Sequence, residues 1–487
     1  MTNEKHPVRV AKLLRLKEEL GINAYPARCD ESKSILEIRD AGETEDSVTA
    51  SGRLTGKREH GKTVFADLRD GTGSIQLYLG KKILTERDWS VLDLLDLGDI
   101  IQIKGTVFTT RTGELTVKCE EVRLLCKSLR QLPVVKVDAD GTVHDEVTDR
   151  DFLFRHRCVD LQVNPESLDR FIKRSRIVSA LRSYLDSLGF LEVETPVLQP
   201  LYGGAAAEPF ETRYGSMNRQ FYLRIATELY LKRLVAGGID KVYELGKDFR
   251  NEGIDRTHSP EFTQLELYEA YADYTTMMNR FEEMSVSAAA AADHGRSFEY
   301  QGTVIDFTPP FRRIGFLDSL REASREDLFS WETEDLKELI IRNGINTQAD
   351  DRTTMLDKLF DFYVANRIVQ PTFVVDYPEE LSPLAKRKED GSGVTERFEV
   401  FLAGLELANA FSEQNDPVLQ RKILKAQADA GKHRKGKPDE DFLYALETGM
   451  PPTGGMGIGV DRLVMVLTDT SRIRDTILFP HLRRTGQ

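Results

Sequence analysis

The residues best suited to chemistry in this chain lie between Val242 and Tyr268, VYELGKDFRNEGIDRTHSPEFTQLELY. Arg250 and Glu252 stand two residues apart in the polar turn Phe249-Arg-Asn-Glu-Gly253. A guanidinium clamps a phosphate or a carboxylate through two parallel hydrogen bonds, which an ammonium cannot do. The turn joins two strand-like runs. Val242–Gly246 is apolar and ends at its glycine, and Phe262–Tyr268 alternates with period two, so that Gln264, Glu266 and Tyr268 share a face. The same alternation puts Asn409, Phe411 and Glu413 on one face of another run. Near the end, Gly454-Gly-Met-Gly-Ile-Gly-Val-Asp-Arg462 reads as a glycine-rich turn that lets backbone approach a ligand, with Arg462 in the first turn of the apolar helix that follows. No βαβ unit surrounds it, so it is not a dinucleotide fingerprint. Taken singly, each group reads equally well as a solvated charge or an ordinary turn. With 80 acidic residues in the chain, one carboxylate decides nothing.

Together the groups carry a resemblance. Phe249–Gly253, with His258 and Glu261-Phe262 downstream, resembles motif 2 of the class II aminoacyl-tRNA synthetases. Gly455–Met465 resembles motif 3, and Leu188-Gly-Phe-Leu-Glu-Val-Glu-Thr-Pro196 resembles motif 1, the helix–strand segment at that family's dimer interface. Gly203–Ala207, Glu228-Leu-Tyr-Leu-Lys232, Arg397-Phe-Glu399, Asn409–Glu413 and Ile473-Arg-Asp475 narrow the likeness to the lysyl-tRNA synthetases of subclass IIb, bacterial type, over nearly the whole chain. Thr227, Glu208 and Ala408 depart from that pattern.

The resemblance implies ATP-dependent ligation of L-lysine to tRNA(Lys) through a lysyl-adenylate, with transfer to the 3′-hydroxyl of the terminal adenosine. It implies that Glu228 and the backbone at Gly204 hold the α-amino group of lysine. Glu266, Tyr268 and Glu413 would take the ε-ammonium, Arg250 and Asn409 the carboxylate, and Phe411 the aliphatic stem. ATP would fall to Arg250, Glu252, His258, Phe262, Gly459 and Arg462, with Arg250, Glu252 and Arg462 catalytic. Glu399 and Glu406 would be ligands of Mg²⁺, set opposite each other across a hairpin turning at Leu402-Ala403. Phe65, Gln76 and Glu114 would read the anticodon. On composition alone Phe65 reads as a core aromatic; the resemblance turns it outward. A cytoplasmic homodimer, with no membrane partner, completes the expectation.

The elements that must position these residues are also readable. Five strand-like runs, Val48–Leu54, Thr63–Leu68, Ser74–Leu79, Asp99–Phe108 and Glu114–Leu125, fit an OB-fold barrel within residues 1–135, behind a surface helix over residues 8–20. Residues 136–153, with the turn Asp138–Gly141, read as a linker. Residues 154–487 read as the catalytic domain. Its strands are joined by hairpins, giving an α+β fold on an antiparallel sheet with flanking helices. Arg170–Leu188 and the alanine-rich Ser285–Ala292 read as packed helices, and residues 317–366 as helical with no assigned chemistry. Residues 48–130 carry 14 basic against 11 acidic residues on a chain of net charge −13, which permits local phosphate contact. They also argue against a relative that lysylates protein and lacks the barrel. A non-catalytic nucleic-acid binder fits poorly with Arg250, Glu252 and Arg462 all present. Aspartyl- and asparaginyl-tRNA synthetases share the motifs, but their substrates do not suit Glu266 and Glu413. The four scattered cysteines form no CxxC pair, so neither a disulfide framework nor a zinc site is expected. No apolar run reaches the length of a membrane span.

Overall fold

Alternating apolar residues close the N-terminal strands into a barrel. In the computed structural model, which describes residues 6–133, 136–137, 143–144, 147, 149–205, 207–347, 351–429 and 439–482, the chain divides into two compact units, Met1–Thr148 and Asp149–Gln487. The division falls within the segment read as a linker, whose Asp138–Gly141 turn lies outside the described residues. The first unit is a closed barrel of Thr44–His60, Thr63–Arg69, Ser74–Gly80, Leu115–Cys126 and Ile100–Thr109, in that spatial order. Every second residue points inward, Val64, Ala66 and Leu68 on one strand and Ile75, Leu77 and Leu79 on the next. The first strand is far longer than the expected Val48–Leu54. A register shift between Leu54 and Gly56 bends it, and Gly52 admits its neighbour, since a Cβ there would lie 2.6 Å from the Arg69 carbonyl oxygen. One strand can therefore pair with both Thr63–Arg69 and Ile100–Thr109.

The second unit is built on an eight-stranded sheet. Its order is Arg312–Gly315, Thr372–Val375, Arg397–Leu402, Leu405–Ser412, Thr453–Gly459, Glu261–Ala270, Lys241–Phe249 and Leu191–Glu192, antiparallel except for the outermost pair at each edge. Period two divides the strand residues between two faces. Leu265, Leu267, Ala408, Ala410, Met456 and Ile458 join a core with the helices Pro165–Ser187, Tyr274–Ala291 and Val460–Leu467. The alanine-rich run forms the end of the second helix, where Ser285, Ala288 and Ala289 are buried and let it lie close to the sheet. Gln264, Glu266, Tyr268, Glu399, Asn409 and Phe411 are left for the other face. Three helices, Phe316–Ser324, Thr333–Arg342 and Arg352–Tyr363, make a separate core with Val374, Tyr377 and Phe401.

Two elements differ from the sequence reading. The run Gly454–Gly459 is not a turn: Thr453–Gly459 is a strand in the middle of the sheet, alternating Met456 and Ile458 toward the core with Gly455, Gly457 and Gly459 toward the other face. The first strand of the hairpin continues past Gly246 to Phe249, because the missing side chain makes room for a guanidinium. A Cβ on Gly246 would stand 2.4 Å from Nη2 of Arg224. The connection that follows is then the whole of 250–260 rather than five residues.

Candidate active site

The polar face of the sheet lines a cavity of about 1410 Å³. Every residue expected in the catalytic domain borders it, from Gly204 and Glu228 to Gly459 and Arg462. At its acidic end are Glu228, the first residue of the helix Glu228–Ala236, Glu266 and Tyr268 on one strand, and Glu413 just past the end of another. Glu266 is buried and accepts from Gln264 Nε2 at 3.0 Å and from the Tyr268 hydroxyl at 3.2 Å. Thr227 also brings its backbone N–H to 3.5 Å. Burial pushes the Glu266 carboxyl up to about 8, helped by Asp248 and Glu228. Burial also raises Glu413, and Lys232 pulls it back.

The glycines define the floor. A Cβ on Gly455 would fall 2.0 Å from Oε1 of Glu413 and 2.6 Å from the Tyr268 ring, and one on Gly457 would fall 2.8 Å from Nε2 of Gln264. Bare backbone at these positions is the condition for those side chains to point into the cavity. Gly204, at φ +87°, does the same on the facing wall, where a Cβ would crowd Glu228 and Ala226 at 3.2 Å.

Arg250 and Arg462 also line the cavity, among further carboxylates. Arg250 lies over the Phe262 ring at 5.1 Å, and its buried Nε has no hydrogen-bond partner, so it is poised to meet an anion. Beneath the hairpin, Arg224 binds Glu244 and Asp248, and burial raises Asp248 to about 6 although Arg224 and Arg250 oppose it. Arg462 donates to the Glu406 carbonyl at 2.8 Å and to His258 Nε2 at 3.0 Å. A guanidinium has no lone pair, so Nε2 is the acceptor. The proton then sits on Nδ1, which donates to Asp255 at 2.8 Å. Asp255 and His258 thus aim Arg462. Glu252 lines the same wall.

The expected metal ligands need one correction. A bulge between Val400 and Phe401 pairs Glu399 with Asn409 and Phe401 with Glu406, so the two carboxylates share a face without standing opposite each other. Glu399 is bonded to Arg397 and to the Tyr377 hydroxyl, and burial pushes it up to about 8, with Glu406 and Asp357 adding to the rise against Arg397. Among the described residues no three histidine, cysteine or acidic side chains form a metal cage. Two carboxylates suit a hard cation that takes its other oxygens from phosphates and water. Arg397 Nε also donates to Oδ1 of Asn409 at 3.2 Å, which leaves the amide donors of Asn409 for a ligand.

On the barrel, Phe65 is half-buried on the outer face, not in the core. It stands edge-on to Tyr78 at 5.5 Å and to His60 at 6.4 Å, and Tyr78 continues the row to Phe108. Gln76 accepts from Thr116 at 3.0 Å, and Glu114 is exposed at the start of the next strand.

Three residues were given no role by the sequence reading, although Lys232 and Arg397 stand in its motifs. Lys232, Arg397 and Tyr377 hold the carboxylates that border the cavity. Lys232 had a signal, its place one helical turn after Glu228, and Arg397 shares a strand face with Glu399 two residues on. Tyr377 had none.

The family model for class II tRNA synthetases (D, K and N) matches residues 149–483, and that for the OB-fold nucleic acid binding domain matches residues 48–125. A lysine–tRNA ligase of Moorella thermoacetica is 46% identical to this chain, covering 99% of it and 98% of its own length. Those of Pelotomaculum thermopropionicum and Clostridium perfringens are 45% and 44% identical, over 99% of this chain and 95% and 96% of their own.

Proposed function

The chain belongs to the lysine–tRNA ligase family of class II synthetases, and from that premise we propose how its cavity joins L-lysine to tRNA(Lys) at the expense of ATP. The observation that carries the reading is that one cavity is lined both by the buried carboxylates Glu228, Glu266 and Glu413 and by the guanidinium groups of Arg250 and Arg462. Lysine spans about 6 Å from its α-carbon to its ε-nitrogen by covalent geometry. Its ε-ammonium is taken by Glu266, Tyr268 and Glu413, and its α-ammonium by Glu228 with the backbone at Gly204. Its carboxylate goes to Arg250 and the amide of Asn409, with Phe411 against the stem. Aspartate and asparagine share the family model, but either would leave those buried acids unpaired.

ATP lies toward the open end. Arg250 meets the α-phosphate and Arg462 the far phosphates. Glu252 and His258 hold the bent triphosphate and the adenine region, Phe262 stacks on the base, and Gly459 leaves room beside Arg462. Mg²⁺, bound at Glu399 and Glu406, would neutralise phosphate charge there. A carboxylate oxygen of lysine then bonds to the α-phosphorus as the bond to pyrophosphate breaks. No side chain acts as nucleophile; alignment and charge neutralisation lower the barrier. In the second step the 3′-hydroxyl of the terminal adenosine attacks the acyl carbon and AMP departs. His258 serves the phosphates by steering Arg462 rather than as a general base, because its Nε2 lone pair already accepts from that guanidinium.

The barrel's outer row around Phe65 suits base stacking, with Gln76 and Glu114 beside it for base edges. The motif 1 segment exposes Leu191 and the residues just after it expose Val197, Leu198 and Leu201, an apolar surface that suits a second copy of the chain. Among the described residues no helix is long and apolar enough to cross a membrane, and we place the enzyme in the cytoplasm with the translation machinery. The test is amino-acid-dependent ATP–pyrophosphate exchange across all twenty amino acids with magnesium and without tRNA. Exchange with lysine alone is expected; exchange with aspartate or asparagine would overturn the pocket assignment.

A further inference from the structure

Lys232 has a fully buried ammonium that reaches both Glu228 and Glu413, and it does not itself border the cavity. It stands behind the two carboxylates, 5.3 Å from the centre of the Phe411 ring and 5.8 Å from that of Phe442. It touches one oxygen of each, Oε1 of Glu228 and Oε2 of Glu413. The remaining oxygens face the cavity-lining glycines, Oε2 of Glu228 toward Gly204 and Oε1 of Glu413 toward Gly455. We propose that Lys232 is a positioning residue for substrate: its ammonium ties Glu228 to Glu413 from behind, aims their free oxygens into the cavity, and sets how much positive charge the cavity accepts.

The charge count follows from the residues. Glu228, Glu266 and Glu413 bring three negative charges when ionised, and Lys232 returns one. Two positive charges then close the balance, which is the number of ammonium groups on lysine. The inference rests on the lysine reading of the cavity. Lysine's two ammonium groups balance the three ionised acids only with Lys232 present; without it one acid would keep a proton even against bound lysine, and a protonated carboxyl cannot form an ion pair with an ammonium. The groups facing the pair are few. Glu228 comes from Lys232's own helix, Glu266 and Tyr268 from the strand Glu261–Ala270, and the Phe411 and Phe442 rings from two further elements. Asp248 bears on Glu266 from the neighbouring strand. Burial lowers the Lys232 ammonium, but Glu228 and Glu413 outweigh it and hold it charged.

Lysine-dependent pyrophosphate exchange between pH 7 and 9 tests this on Lys232→Met and Lys232→Arg. Lys232→Met should raise the KM for lysine about 10- to 100-fold. The KM for ATP should stay within about twofold of the parent's, since Lys232 touches no group at that end. The lysine KM of this variant should fall more steeply than the parent's as pH rises, because an additional trapped proton is then released, and Lys232→Arg should recover part of the loss. A second route survives poor folding of the methionine variant. In Glu413→Gln, the further change Lys232→Met should cost less than it costs the parent. A lysine KM and pH profile equal to the parent's, or an equal cost in both backgrounds, would overturn the inference. No lysine-dependent exchange by the parent would instead remove the cavity reading, and this inference with it.

Discussion

At the acidic end of the cavity Glu266 and Glu413 are 4% and 2% exposed and are already bonded inside the protein, whereas at the other end the His258 and Glu406 side chains are 52% and 41% exposed. The buried acids are raised by desolvation and met by fixed neighbours, Tyr268, Gln264 and Lys232. Arg462 is steered by groups that solvent also reaches. The contrast assigns different tasks. A dry pocket with committed partners discriminates, because a wrong ligand strands charges that water cannot rescue. A wet one binds and releases a triphosphate and its product with little penalty in either direction.

The comparison breaks most readily at the buried end. Glu413→Gln or Glu266→Gln should lower kcat/KM for lysine by about 100-fold or more in pyrophosphate exchange, since each leaves buried groups unpaired. An equal rise in the KM for ATP would mean that the two ends are not separate. Arg462→Met should raise the KM for ATP about tenfold while the lysine KM holds, the loss of one charge-assisted contact that solvent partly replaces. Phe65→Ala should leave exchange untouched and raise the KM for tRNA in aminoacylation about tenfold, the worth of one stacked base.

The smallest effect is a pH dependence. A Glu266 carboxyl raised to about 8 is protonated at pH 7, whereas in an unfolded chain it is ionised there. The native state then binds more protons than the unfolded state between pH 4.5 and 8, so stability from this group is fully present below the unfolded pKa and is lost as pH rises through about 8. Lysine needs the ionised form, so its binding at pH 7 should release a proton. Calorimetry in two buffers of different ionisation enthalpy would show it, and identical heats in both would assign the raised pKa to another group.

Legibility in the sequence followed the same division. The faces of Gln264, Glu266 and Tyr268, and of Asn409 and Phe411, were readable because period-two alternation survives wherever a strand has one dry side. All five barrel strands were readable for that reason, but the length of the first was not. Its extension depends on Gly52 and a register shift, which only the neighbouring strand explains. Thr453–Gly459 was misread because glycine signals a turn when context is unknown, and here the context is Glu413 and Tyr268 on other strands. Lys232 and Arg397 each had a local signal toward Glu228 and Glu399, but the contact of Lys232 with Glu413 joins elements far apart in sequence. Local pattern names a carboxylate such as Glu413 on a face and is silent about what stands behind it.

The strand Thr453–Gly459 bears on redesign. Where most binding sites are shaped by side chains that can be trimmed or enlarged, this one has main chain for a floor at Gly455 and Gly457. There is nothing left to remove, and adding even a methyl group displaces Glu413, Tyr268 or Gln264. Variants that accept longer or bulkier amino acids will therefore have to gain their space at the walls, through Phe411 and Tyr268, and not from below.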